Sequence, residues 1–187
     1  LLELSRGRAF VLFTSYANMN AVASLVAGRV DYPLLIQGEA PKAALLETFR
    51  RTPNAVLLAT SSFWQGVDVV GEQLSCVIID KLPFASPADP VVGARIDRLR
   101  NRGGNPFADY QVPGAVLMLK QGLGRLIRSA ADRGILAVLD SRLLSRGYGR
   151  RFLDSLPPAQ LVHDLADVRA FFGAGESPPA PETAQEA

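Results

Sequence analysis

Five short apolar runs constrain this chain more than any other feature. Ala9–Phe13, Leu34–Ile36, Ala55–Ala59, Cys76–Ile79 and Gly134–Leu139 carry no charge and alternate with segments of helical period. Strands that are apolar on both faces belong in a parallel sheet covered on both sides, because only there are both faces dry. The alternation therefore predicts βαβ units and a three-layer α/β/α sandwich with a mainly parallel sheet. Helices are expected over about 17–27, stopped by Gly28, and over 41–51, opened by Pro41. Further helices are expected over 91–102, 113–129, 146–155 and 161–172. Residues 173–187, rich in Pro, Ala and Glu, read as a disordered tail, which leaves 1–172 as the domain.

With 187 residues the chain is long enough for one domain with a sizeable core. No apolar run reaches the roughly 18 residues needed to cross a bilayer, so a membrane protein is excluded. One cysteine and one histidine permit neither an internal disulfide nor a Cys or His metal cluster, and any metal would need carboxylates. A reducing, cytoplasmic setting is the default for such a chain. The opening Leu1-Leu2-Glu3, without Met or a signal-like segment, reads as a piece cut from a longer polypeptide. Net charge is +2; without the three Glu of the tail the body carries 20 − 15 = +5, which permits phosphate-rich partners without demonstrating them.

In parallel sheets of this kind ligands gather at the carboxyl ends of the strands, so chemistry is expected after Phe13, Ala59 and Ile79. The strongest single signal nevertheless lies in Gln121-Gly-Leu-Gly-Arg-Leu-Ile-Arg128. Wound as a helix, it gathers Gln121, Gly124, Arg125 and Arg128 within an arc of about 100°, with Leu119, Leu123, Leu126 and Ile127 opposite. An amide, two permanent cations and a gap without a side chain suit an oxyanion such as a polyphosphate. A solvated amphipathic helix is the plainer alternative. Gly122-Leu-Gly124 is not a dinucleotide fingerprint, since Ile127 stands where the third glycine belongs and no strand leads into it.

A second signal is Thr60-Ser-Ser-Phe-Trp-Gln-Gly-Val-Asp68, where a strand breaks at Gly66 before an acid set among valines. Asp68 needs a partner there, for which Arg125 and Arg128 are candidates, unless it only caps a turn. The third is Phe13-Thr-Ser-Tyr16, whose hydroxyls suit either a helix cap or a phosphate. Lys81-Leu-Pro-Phe84 holds the equivalent place after the fourth strand. No G-x-x-x-x-G-K-[ST], Asp-Glu-x-His or G-x-S-x-G occurs, and His163 reads as a surface residue, so a P-loop and a hydrolase triad are both excluded from this chain.

In order along the chain, these three segments resemble motifs IV, V and VI of the DinG/XPD-like helicases of superfamily 2. The resemblance extends through Asp80–Pro90, Asn105-Pro-Phe107, Tyr110, Tyr148-Gly149 and Leu156-Pro157, covering about 7–158, and is greatest to the bacterial DinG/YoaA branch. It implies a second, carboxyl-terminal RecA-like motor domain, with ATP held between it and an amino-terminal RecA-like domain of the same polypeptide. The P-loop and the magnesium ligands belong to that facing domain, as does the 4Fe–4S cluster of many relatives; this chain carries none of them. Carried over by position, Arg125 and Arg128 are arginine fingers, and Gln121, Gly124, Gly66 and Asp68 adjoin the nucleotide. Thr14, Ser15, Thr60 and Ser61 meet phosphates of single-stranded DNA, with Phe63 or Trp64 packed nearby. The implied activity is ATP-driven 5′–3′ translocation on single-stranded DNA with duplex unwinding, in DNA repair. The alternatives are the motor part of a helicase-related exonuclease and a non-catalytic single-strand binding module.

Overall fold

A computed structural model describes residues 1–60, 63, 73–127 and 133–173, the side chain of Arg125 excepted. Its sheet contains β1 (Ala9–Phe13), β2 (Leu34–Ile36), β3 (Val56–Thr60), β4 (Cys76–Ile79) and β5 (Ile135–Val138), all parallel in the order β2-β3-β1-β4-β5. Ala9 stands level with Val56 on one side and Cys76 on the other, so β1 is the central strand and every one of its residues is buried.

Because side chains alternate along a strand, the sheet sorts its residues between two cores. Phe10, Leu12, Leu57, Ala59, Val77 and Ile79 face one side, against α2 (Lys42–Arg51), α4 (Val112–Leu126) and α6 (Gly149–Ser155). Phe10 and Phe49 meet there with ring centroids 4.7 Å apart, and Leu119 of α4 is wholly buried. Ala9, Val11, Phe13, Val56, Leu58, Cys76 and Ile78 face the other side, against Met19 and Ala23 of α1 (Tyr16–Val26). The expected sandwich is thus present. Burial in the second core pushes the Cys76 thiol up to about 12, so it stays protonated and is no nucleophile at neutral pH.

The remaining helices are α3 (Pro90–Asn101), α5 (Arg142–Ser145) and α7 (Leu165–Gly173). Local chemistry explains where they differ from expectation. Helix α4 stops at Leu126 rather than continuing to 129, with Ile127 extended (φ −119°, ψ 113°); Gly122 and Gly124 make its last turns weak helix formers. The helix expected over 146–155 starts only at Gly149, as α6, where a Cβ would lie 1.9 Å from the Leu143 carbonyl oxygen, and the short α5 before it was not expected. Helix α7 starts at 165 instead of 161 because the Asp164 carboxylate accepts the Ala166 N–H at 2.8 Å and sets the cap. A π-helical turn, Phe107–Gln111, precedes α4 and absorbs the N–H that Pro113 lacks.

At the amino edge of the sheet Arg6, Gly7, Arg8 and Asn54 all have positive φ, and a Cβ on Gly7 would lie 1.8 Å from the Asn54 carbonyl oxygen. Gly28 shares the same φ of +71° but faces open space. Gly28→Ala is expected to cost about 1 kcal/mol of backbone strain, whereas Gly7→Ala should cost more than about 2 kcal/mol because backbone must also move. Urea unfolding of the two variants checks the difference.

Candidate functional site

The carboxyl ends of the strands carry a connected polar network. Immediately after β4, the Asp80 carboxylate accepts the Thr14 N–H at 3.0 Å, the Thr14 hydroxyl at 3.4 Å and the Asn18 side-chain amide at 3.2 Å. Ser15, extended at φ −148°, caps α1 by accepting the Asn18 N–H at 3.2 Å. The bland reading of Ser15 therefore accounts for one of its lone pairs. Immediately after β2, the Gln37 side-chain oxygen accepts both the Thr60 N–H (2.6 Å) and the Thr60 hydroxyl (2.9 Å), while its amide donates to the Tyr16 hydroxyl.

Thr14 is exposed and Ser15 half-buried, whereas Thr60 is buried. The donors of both threonines are thus already held by internal acceptors. Of the first N–H groups of α1, those of Tyr16 and Ala17 remain, since an α-helix offers them no acceptor of its own, at the carboxyl edge beside Thr14. Phe63 is 3% exposed within the first core, with the Lys42 ammonium 5.1 Å from its ring centroid, so its ring is not offered to solvent. Ser61, Trp64, Gly66 and Asp68 lie outside the described residues, as does Arg128.

A second polar site lies at the opposite edge. Gly134, entering β5, would place a Cβ 2.4 Å from the Leu126 side chain and 3.0 Å from the Ser75 carbonyl oxygen, which itself accepts the Ile135 N–H. The end of α4 is therefore wedged against the amino ends of β4 and β5. Gly124 is exposed there with nothing within 4 Å of a built Cβ, and Arg125 occupies the same last turn. The side-chain oxygen of Gln121 is buried without a hydrogen-bond partner among the described residues. An unpaired buried acceptor costs about 1–3 kcal/mol and calls for a donor. Within α4 the helical arc gathers the backbone positions of Gln121, Gly124 and Arg125; Arg128 lies outside the described residues.

Sequence reasoning passed over Gln37, Asn18 and Asp140. The signal available was positional: each parallel strand ends on, or is followed within two residues by, a polar group, Thr14, Gln37, Thr60, Asp80 or Asp140. Asp140 is buried and accepts the Leu82 N–H at 2.9 Å and the Arg142 guanidinium at 2.6 Å, and Arg142 lies over the Phe84 ring at 5.7 Å. The Arg142 hydrogen bonds hold the Asp140 carboxyl at about 2, and the carboxylate raises the Arg142 guanidinium in turn.

The helicase C-terminal domain family matches residues 1–159, and the chain belongs to it. Within it the chain is 52% identical over 171 residues to the ATP-dependent DNA helicase YoaA of Escherichia coli (strain K12), covering 91% of this chain and 27% of that protein. It is 41% identical over 165 residues to a protein named 3′-5′ exonuclease DinG from Bacillus subtilis (strain 168), covering 86% of this chain and 18% of that one. The chain thus spans about a quarter or less of the length of these relatives. A solved XPD helicase superposes with a TM-score of 0.61 at 20% identity over 79% of this chain and 27% of the other, a likeness of fold. Among the described residues there is no group of three His, Cys, Asp or Glu placed to hold a metal, and no helix long and apolar enough to cross a membrane.

The Asp140 carboxyl is lowered on folding from 3.8 to about 2, so its contribution to stability is present above about pH 4 and disappears as pH falls toward 2. Asp140→Asn should cost about 2 kcal/mol at pH 7 and flatten the loss of stability between those values. Urea unfolding of both proteins across that range measures this.

Proposed function

We propose that this domain is the second half of an ATP-driven motor that moves 5′ to 3′ along single-stranded DNA and unwinds duplex, acting in DNA repair in the bacterial cytoplasm. One observation supports the reading: the last turn of α4, with Gln121, the open Gly124 and Arg125, and the first turn of α1 lie on opposite edges of one sheet. A domain built this way can face a nucleotide with one edge and a strand with the other, so closing on the first displaces the second.

In this reading Arg125 and Arg128 reach the γ-phosphate of an ATP held by the amino-terminal RecA-like domain. A finger delivered across an interface typically accelerates phosphoryl transfer by about 10³ to 10⁵. Gln121, whose side-chain oxygen awaits a donor, and the open Gly124 fit a nucleotide or a guanidinium beside it. Gly66 and Asp68 complete that side. ATP gripped by both halves would hold the cleft closed and its hydrolysis would let it open, and its Mg²⁺ would be held by the facing domain, not by residues of this one. A 4Fe–4S cluster, if the polypeptide carries one, belongs to that other half.

At the opposite edge the α1 N–H groups, Thr14 and Ser15 take strand phosphates, with Thr60 and Ser61 joining as Gln37 releases its hold; Trp64 packs nearby while Phe63 supports from beneath. Amides and hydroxyls read backbone and not bases, so binding is sequence-tolerant and salt-sensitive. The domain extends over about 1–172, and alone it hydrolyses no ATP. The name of the Bacillus subtilis relative favours, as a second reading, the same motor within an exonuclease. A non-catalytic strand-binding module is the third.

ATP hydrolysis by the full-length polypeptide, with and without single-stranded DNA, tests the proposal. Arg128→Ala should lower the strand-stimulated rate by about 10³ or more with DNA binding retained. An unchanged rate, or a loss confined to DNA binding, returns Arg128 to the surface and favours the binding module.

A further inference from the structure

Four aromatic rings gather at the carboxyl edge beyond β4 and β5, apart from the threonine network. Phe84 stacks on Phe107 with centroids 5.5 Å apart and planes 25° from parallel, and both meet the edge of Tyr148, at 5.7 and 5.2 Å. Phe152 closes the group from the core side and is wholly buried. Phe107, in contrast, is 40% exposed although one of its faces is covered by Phe84. A cluster serving packing alone has no reason to leave its outermost ring uncovered.

The uncovered ring opens on a cleft of about 200 Å³ whose lining includes Tyr148, Gly147 and Arg151. Sites for whole small molecules run to about 300–1,000 Å³, so this one suits a single flat ring. Its rim is basic: Ser141–Arg151 carries four arginines and no acid. Arg142 is committed to Asp140, and the exposed Arg150 lies 3.5 Å from Asp154. Arg151 donates to the Ala108 carbonyl at 3.3 Å, which holds its guanidinium over the cleft, and Arg146 is exposed. Asp109, the acid nearest Phe107 in the chain, is turned toward the Asn105 N–H.

The platform is also rigidly aimed. Asp140 ties the Leu82 N–H and the Arg142 guanidinium together, and Arg142 caps the Phe84 ring, so the carboxyl ends of β4 and β5 fix the aromatic group directly. Two strand spacings, about 10 Å, separate β1 from β5, so Thr14 and the platform border one continuous edge.

We propose that Phe107 and Tyr148 form a stacking site for one base of the single strand, with Arg151 beside it for the adjoining phosphate. This rests on the reading of the carboxyl edge as the strand-binding side. Stacking on an aromatic ring tolerates any base, in keeping with a motor that reads no sequence. A planar base inserted against Phe107 covers the exposed ring, and the guanidinium neutralises the charge that accompanies it.

The test is binding of oligothymidylate containing a single 2-aminopurine to the full-length polypeptide, followed by anisotropy and by the stacking-sensitive fluorescence of the probe. Phe107→Leu should weaken binding about tenfold or more and abolish the fluorescence change at one register, while Phe107→Tyr, which keeps the ring, retains both. Arg151→Gln should reduce the dependence of log affinity on log salt by about one contact. If Phe107→Leu melts early, Phe107→Tyr and Arg151→Gln decide. Native affinity and fluorescence in Phe107→Leu overturn the stacking site, as does equal loss in Phe107→Tyr or an unchanged salt slope in Arg151→Gln. If the unaltered polypeptide binds no single strand, the motor reading falls as well; tight binding indifferent to Phe107 removes the stacking site alone.

Discussion

Everything in this domain depends on the double burial of β1. Ala9–Phe13 is apolar without interruption, lies between β3 and β4, and places Phe10 and Leu12 in one core and Ala9, Val11 and Phe13 in the other. Such a strand cannot sit at an edge or face water, so helices must cover both sides and the neighbouring strands must run parallel. Parallel strands in turn give the sheet two chemically different ends. One end receives the chain from helix C-termini and the other launches it into helix N-termini, which is why Leu126 meets Ser75 at one edge and Ser15 caps α1 at the other.

That polarity separates the candidate sites without any further device. At the carboxyl edge the hydrogen-bond donors of Thr14 and Thr60 are satisfied by Asp80 and Gln37. Satisfied donors also carry a consequence for binding, since a phosphate must displace an internal acceptor or use the free N–H groups of α1. At the amino edge the opposite holds: the buried Gln121 oxygen has no partner among the described residues, and the open Gly124 leaves space in front of it.

The strands were legible in the sequence almost to the residue, because an uncharged run flanked by glycine or proline has few other uses. Helix ends were less so. The late start at Gly149 and the start at Leu165 depend on Gly149 against the Leu143 carbonyl and on the Asp164 cap, which are contacts and not patterns. The same holds for the sites. Motifs IV, V and VI could be quoted from the sequence, and the family they resemble is the one to which the chain belongs. That the end of α4 lies at the amino edge could not, since the sequence showed 121–126 only as a helix face. Gln37, Asp140 and Arg142 are unremarkable residues until the topology aligns the strand ends, and the gathering of Phe84, Phe107 and Tyr148 from three separate segments has no signature in spacing.

The central claim is that this domain meets nucleotide with one edge and single-stranded DNA with the other. Hydrogen–deuterium exchange on the full-length polypeptide tests it most directly, comparing the free protein with the same protein bound to oligothymidylate and to ADP with beryllium fluoride. The account predicts that DNA alone slows exchange in 14–19 at the start of α1, and that the nucleotide analogue alone slows exchange in 119–126 at the end of α4. Protection of both segments by the same single ligand to the same extent, or of neither by either ligand, would contradict it.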